Sequence, residues 1–110
     1  MATAARTFTA PAQDVILDLG GSDWARIEVT GAFTGTLTPQ VSRAPRGSAA
    51  VWDGLGLLSR QSGQIVNSIT APGTYYVPAG VIAPTNLLRL TCSALSAGTP
   101  AVAIHDHYYY

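Results

Sequence analysis

The chain has 110 residues, enough for one domain with a buried core and too few for a second independent one. Only 11% of its residues are charged, against about 25% in ordinary soluble domains, and six arginines balance six acids to a formal net charge of zero. This balance excludes the basic surface that nucleic acid or an anionic membrane requires. It indicates either a surface covered by neighbouring subunits or one built from uncharged Thr, Ser, Gln and Gly.

The first 13 residues are mostly small or polar, and Phe8 is their only aromatic side chain. They predict an extended N-terminal arm over residues 1–13. With Arg6, Phe8 and Pro11, such an arm suits addition to the edge of a partner's sheet, and a disordered terminus is the alternative.

From residue 14 onward, apolar and polar side chains alternate with a period of two, which is typical of half-buried strands. Strands are predicted over residues 15–19, 24–30, 33–38, 49–52, 64–70, 74–77, 86–94 and 101–105. The inward positions of the two clearest strands are Ala25, Ile27 and Val29, and Leu88, Leu90, Cys92 and Ala94. Residues 53–59 carry two glycines and predict a bend with apolar side chains rather than a helix.

About eight short strands, each with one apolar face, predict an all-β fold in which two antiparallel sheets pack as a β-sandwich, jelly-roll-like or immunoglobulin-like. The sandwich is expected over residues 14–104. Residues 105–110 are expected to form an aromatic C-terminal tail, with Tyr108, Tyr109 and Tyr110 at its end. We expect this tail to contact a neighbouring subunit, with folding back or fraying as the alternative.

Catalytic and metal-binding motifs are weak. His105 and His107 share a strand face and can supply two metal ligands, but structural zinc needs four and catalytic zinc usually three. Cys92 lies at an inward position and predicts a buried, inert thiol. No nucleophile elbow or phosphate-binding loop is present. The prediction is therefore a protein without enzymatic activity, cofactor or metal.

Four aromatic residues have two interpretations. Trp24, Trp52, Tyr75 and Tyr76 can fill the core or a subunit contact, or they can form a platform on which a sugar stacks. We favour the first interpretation, because large aromatic side chains in a small sandwich are usually buried or at an interface.

Two segments resemble small β-sandwich structural proteins of tailed bacteriophages. The first is Ile27-Glu-Val-Thr-Gly-Ala-Phe-Thr-Gly-Thr-Leu-Thr38, followed by Ser42 and Trp52. The second is Ala71-Pro-Gly-Thr-Tyr-Tyr-Val-Pro-Ala-Gly80, followed by Leu88-Arg89-Leu90 and Ser96-Ala-Gly-Thr99. The likeness covers roughly residues 14 to 104. The chain departs from the family pattern at Ser42-Arg-Ala-Pro-Arg-Gly47, where relatives often have Ser-x-Asp-Gly.

The resemblance implies a virion surface protein assembled in the host cytoplasm, and the absence of a targeting segment agrees with that expectation. A capsid decoration (cement) protein is the first hypothesis. It would be a homotrimer that binds the major capsid protein or another virion protein, with no nucleic acid or membrane partner. The alternatives are a tail, baseplate or fibre module, and a carbohydrate-binding module for host attachment. The predicted contact residues are Phe8, Arg43, Arg46, Trp52, Tyr108, Tyr109 and Tyr110.

Overall fold

The computed structural model describes residues 3–18, 24–42, 49–77 and 87–107, with the backbone only for Trp24, Asp106 and His107. The described residues form ten strands: β1 (Thr3–Thr7), β2 (Asp14–Asp18), β3 (Trp24–Thr30), β4 (Phe33–Ser42), β5 (Trp52–Gly54), β6 (Leu57–Ser59), β7 (Ile65–Val66), β8 (Gly73–Val77), β9 (Leu87–Gly98) and β10 (Ala101–His107). No helix that could cross a membrane occurs among them.

The strands form two antiparallel sheets, and this confirms the predicted all-β sandwich with ten strands instead of about eight. One sheet has six strands in the order β1-β10-β3-β8-β6-β7, and the other has four in the order β2-β9-β4-β5. Each sheet has one apolar face, and the two faces cover one another. The longest pairing joins β4 to β9 along ten register positions and forms the centre of the four-stranded sheet.

The core follows the predicted alternation in most strands. Ile27, Leu88, Leu90 and Ile104 are fully buried, and the side chains between them along each strand face outward. The inward positions predicted for 24–30 are confirmed, because Ala25, Ile27 and Val29 all lie in the core.

The prediction for Ala94 is wrong, since Ala94 is exposed. Two register shifts between β4 and β9, at Thr34/Gly35 and at Thr36/Leu37, leave one extra residue of β9 at each point. Because each extra residue reverses the side-chain alternation beyond it, the faces are exchanged between the two shifts, where Ala94 lies, and are restored beyond the second.

The arm predicted over residues 1–13 also needs correction. Thr3–Thr7 pair with β10 of the same chain as an edge strand, and Phe8 is completely buried in the core. The Phe8 amide donates a hydrogen bond to the Pro100 carbonyl oxygen at 2.9 Å. The arm takes this position because β10 otherwise lacks a partner on one side and the Phe8 ring leaves water.

The glycine-containing stretch 53–59 is more ordered than the predicted bend. β5 pairs with β4 in the four-stranded sheet. The chain then turns at Leu55 and Gly56 and continues as β6, which pairs with β8 in the six-stranded sheet. Leu55 and Leu57 are buried, so the apolar side chains of this crossing complete the core. Of the strand predicted over 64–70, only Ile65–Val66 pair as a strand, and Ile69 forms an isolated bridge with Leu37.

Several of the described segments end on the same side of the sandwich. In the four-stranded sheet, four residues lie side by side across the strands, and these are Asp18, Leu87, Ser42 and Trp52. The described segments end at Asp18 and Ser42, and another begins at Leu87. In the six-stranded sheet, Trp24 pairs with His107. Because β3 and β4 are joined by only two residues at the opposite end, Trp24 and Ser42 lie at the same end.

Candidate interaction surface

The outer face of the four-stranded sheet is organised around Arg89. In β9, Leu88 and Leu90 point into the core, so the strand alternation directs Arg89 outward. Its Nε donates a hydrogen bond to Gln40 Oε1 at 2.9 Å, and its Nη2 also donates to that oxygen. Its Nη1 lies 3.8 Å from Asp14 Oδ2. Three adjacent strands thus hold one guanidinium.

Trp52 covers the other side of this guanidinium. The Arg89 Cζ atom lies 4.2 Å from the centroid of the Trp52 ring, which is a cation–π arrangement. Trp52 is opposite Ser42 in the β4–β5 register. Ser42 is buried, and its Oγ accepts a hydrogen bond from the Val51 amide at 3.2 Å. The start of β5 is therefore held against β4, and Trp52 has a defined position on the surface.

An exposed aliphatic side chain extends this surface. Ile16 is the register partner of Arg89 on β2 and is 43% exposed. We call the surface formed by Asp14, Ile16, Gln40, Trp52 and Arg89 the Trp–Arg face. It combines an aromatic ring stacked on a guanidinium, an Arg89 side chain that is 21% exposed and the apolar side chain of Ile16. Trp and Arg are the residue types that contribute most to protein contacts.

The charges of this face serve to position side chains more than to stabilise the fold. Exposed ion pairs contribute about 0–1 kcal/mol because water screens them. Holding Arg89 and Trp52 in one arrangement before a partner arrives does lower the entropy lost on binding. The arrangement therefore suits recognition of another protein surface.

The outer face of the six-stranded sheet carries a different network. Arg26 Nε lies 3.2 Å from Glu28 Oε1 without hydrogen-bond geometry, and His105 Nε2 lies 3.5 Å from Glu28 Oε2. His105 Nδ1 and Thr3 Oγ1 share a hydrogen bond of 2.9 Å. Next to these charges is a shallow groove of about 550 Å³, whose floor is formed by small side chains such as Ala5 and Ala103.

The predicted contact residues occupy different places. Trp52 lies on the Trp–Arg face, and its role as a contact residue stays a prediction. Phe8 was predicted at an interface, and its ring is completely buried in the core of its own chain rather than on the outer surface. The remaining predicted contact residues lie outside the described residues, and these are Arg43, Arg46, Tyr108, Tyr109 and Tyr110.

The aromatic residues considered for sugar stacking are not brought together. Tyr75 points into the core, where its hydroxyl donates a hydrogen bond to the Ala71 carbonyl oxygen at 2.8 Å. Burial raises the pKa of the Tyr75 hydroxyl above its ordinary value. Tyr76 lies on the outer face of the six-stranded sheet opposite Arg26, whereas Trp52 lies on the other sheet. The side chain of Trp24 is outside the described structure.

The remaining candidates for chemistry are two histidines of β10 and one cysteine of β9. His105 is on the outer face of β10, and His107 is described only by its backbone. Within the described part of the chain, no group of three or more His, Cys, Asp or Glu side chains could hold a metal ion. Cys92 is buried in the core, as predicted, and burial raises the pKa of its thiol.

Sequence reasoning placed Trp52 among the contact residues and missed Arg89, Gln40 and Asp14. Alternation did identify Arg89 as an outward-facing residue. It carried no information on which residue of another strand would lie next to it, and Gln40 is 49 positions away in sequence.

The fold and this surface together define a small antiparallel β-sandwich that carries an ordered Trp–Arg arrangement on one outer face. No protein-family model and no curated protein sequence matches the chain. Among solved structures, it is similar to the SPBc2 prophage-derived protein YomS, with a TM-score of 0.70 and 11% identity over 94% of this chain and 91% of that one. It is also similar to the PBSX exported protein XepA, with a TM-score of 0.73 and 12% identity over 96% of this chain and 37% of that one. At these identities the likeness establishes a shared fold.

Proposed function

We propose that this chain is a non-enzymatic structural protein of a tailed-bacteriophage particle, and specifically a decoration (cement) protein on the capsid surface. The observation that carries the proposal is the structural likeness, over 94% of this chain and 91% of the other, to a protein described as prophage-derived. The sequence resemblance over residues 14 to 104 supports the same class of protein. The Trp–Arg face supplies a surface suited to a protein partner, and the major capsid protein is the partner we propose.

The size of this face bears on how the protein attaches. Four strands spaced about 4.8 Å apart make the face about 19 Å wide, and five register positions of about 3.3 Å make it about 17 Å long, so that it offers roughly 300 Å². A standard interface buries about 800 Å² on each partner. Attachment therefore needs a second contact region. Several linked copies, such as the homotrimer, would add avidity.

A tail, baseplate or fibre module is the second candidate. It is favoured by one observation: the chain spans only 37% of the PBSX exported protein XepA, so this fold also occurs as one part of a longer protein. Carbohydrate binding ranks behind both, because Trp52, Tyr75 and Tyr76 lie in three separate environments.

Locating the protein on particles tests the proposal. Particles produced by the phage or prophage that encodes the chain would be purified and labelled with a gold-conjugated antibody against it. Label on the head supports decoration. Label on the tail overturns decoration in favour of the second candidate, and particles without the protein overturn both.

Matched variants test the role of the Trp–Arg face. Particles that lack the protein would be incubated with the wild-type chain, with Trp52→Ala, with Arg89→Ala and with Arg26→Ala as a control. Arg26 is an outward-facing arginine of the opposite sheet. We expect each of the first two variants to weaken binding by at least about tenfold, which corresponds to the loss of about 1.4 kcal/mol typical of a dominant contact residue. Equal binding by Arg89→Ala and Arg26→Ala would exclude this face.

A further inference from the structure

The N-terminal strand is attached to the rest of the sandwich on one side only. β1 is an edge strand whose five residues pair with β10, from Thr3 opposite His105 to Thr7 opposite Ala101. Its side chains are exposed apart from the half-buried Ala4. The attachment therefore depends on the backbone ladder, on the buried ring of Phe8 that follows it, and on the side-chain hydrogen bonds of Thr3 and Arg6.

The position that β1 and Phe8 occupy is formed by the rest of the fold. The edge of β10 provides the hydrogen-bonding groups, the Pro100 carbonyl oxygen accepts from the Phe8 amide at 2.9 Å, and the core accommodates the ring. The Arg6 Nη1 atom donates to the Asp14 carbonyl oxygen at 2.9 Å. A second copy of this chain presents the same edge and the same space, so its occupant can be the identical segment of a neighbour.

The connection between β1 and β2 has two opposing features. Ala12 adopts a φ of +71°, a left-handed conformation that is unfavourable for a residue with a Cβ atom. The Gln13 side chain closes the same turn, because its Oε1 accepts hydrogen bonds from the Thr9 amide at 2.7 Å and from the Ala10 amide at 3.2 Å. Strain at Ala12 favours opening of the turn, and the Gln13 hydrogen bonds favour its closed form.

We propose that Thr3–Phe8 exchanges between copies of this chain, so that β1 of one copy pairs with β10 of another and Phe8 enters the other copy's core. Exchange preserves the contacts of the closed form, which makes it an inexpensive route to association. A short strained connection promotes it. The inference concerns contacts between copies only and does not depend on the assignment to a phage particle.

Cysteine pairing between two different chains detects the exchange. Ala5 and Ala103 are register partners on the outer face of β1 and β10. The full-length Ala5→Cys and Ala103→Cys proteins would be mixed, unfolded, refolded together at high concentration and then oxidised. Because neither protein carries both new cysteines, a disulfide between them that exceeds the level formed by collision reports β1 of one chain beside β10 of the other.

The control replaces Ala103→Cys with Ile65→Cys, a more exposed position on the opposite edge of the same sheet. We expect the Ala5→Cys and Ala103→Cys mixture to form the mixed disulfide at least about fivefold more than the control. Register partners have a high effective concentration, whereas the control pair meets only by collision.

Two variants of the connection give the inference a directional test. Ala12→Gly removes the strain of the closed turn and should lower the mixed-disulfide yield about fivefold. Gln13→Ala removes the hydrogen bonds that close the turn and should raise it. A general destabilisation of the fold would instead change the mixed-disulfide yield of both variants in the same direction. A mixed-disulfide yield no higher than the control in folded protein, or a shift of the same sign in both variants, overturns the exchange.

Discussion

Replacing Phe8 with alanine should destabilise the sandwich strongly, although the local sequence suggests a dispensable arm. The ring is completely buried and joins the core formed by both sheets. Phe→Ala substitutions at such positions cost about 3–5 kcal/mol, because the lost transfer free energy is increased by the cavity left behind. A domain of 110 residues has about 5–15 kcal/mol of stability in total. The substitution therefore removes a large fraction of it.

The other phenylalanine provides a matched control. Phe33 is half-buried and packs against the edge of the core. Its replacement by alanine should cost about 1–2 kcal/mol, since less apolar area leaves water when the protein folds. Equilibrium unfolding in urea, followed by circular dichroism, gives both values, and Phe8→Ala should also lower Tm by roughly 10–20 °C.

The result that contradicts this reasoning is a loss of less than about 1 kcal/mol for Phe8→Ala, or a loss no greater than that of Phe33→Ala. Either result means that the ring contributes little to the core and that residues 1–13 behave as the arm that the sequence predicted.

Further expectations concern Gly98, Cys92 and Arg89. Gly98→Ala should lower the free energy of unfolding by more than about 2 kcal/mol, because φ is +84° and a Cβ atom would collide with the Ala32 carbonyl. Gly54→Ala should change it by less than about 0.5 kcal/mol, since nothing lies within 4 Å of the new atom, and chemical denaturation measures both values. Cys92 should react with a thiol reagent only after unfolding, because the folded protein buries it. Burial also raises the Cys92 pKa above its ordinary value of 9.0. The free energy of unfolding should therefore be at its full value below about pH 9 and should decrease as the pH rises through the raised pKa. This decrease should be smaller in Cys92→Ala, which lacks the thiol. Arg89→Ala should lower stability by no more than about 1 kcal/mol, since its ion pair is partly exposed; a larger thermal shift would mean that the binding test above measures folding.

The local pattern of the sequence determined most of the strands and most of their inward faces, but neither β1 nor β6. Ile27 in β3 and Leu90 in β9 are buried where a period of two placed them. Alternation predicts buried positions because each strand directs every second side chain toward the other sheet. The resulting pattern of apolar residues is visible within about eight consecutive residues.

The tertiary structure decided which strands became neighbours. The Arg89–Gln40 hydrogen bonds link residues 49 positions apart, and the entropy of loop closure varies too slowly with loop length to select one such pairing over another. The reversal of faces after Cys92 has the same origin, because a bulge exists only relative to the strand on the other side of the ladder. Phe8 shows the effect most directly. It is a single aromatic residue in a polar segment, so no periodicity assigns it to the core, and its burial depends on the free edge of β10 and on space that distant strands enclose.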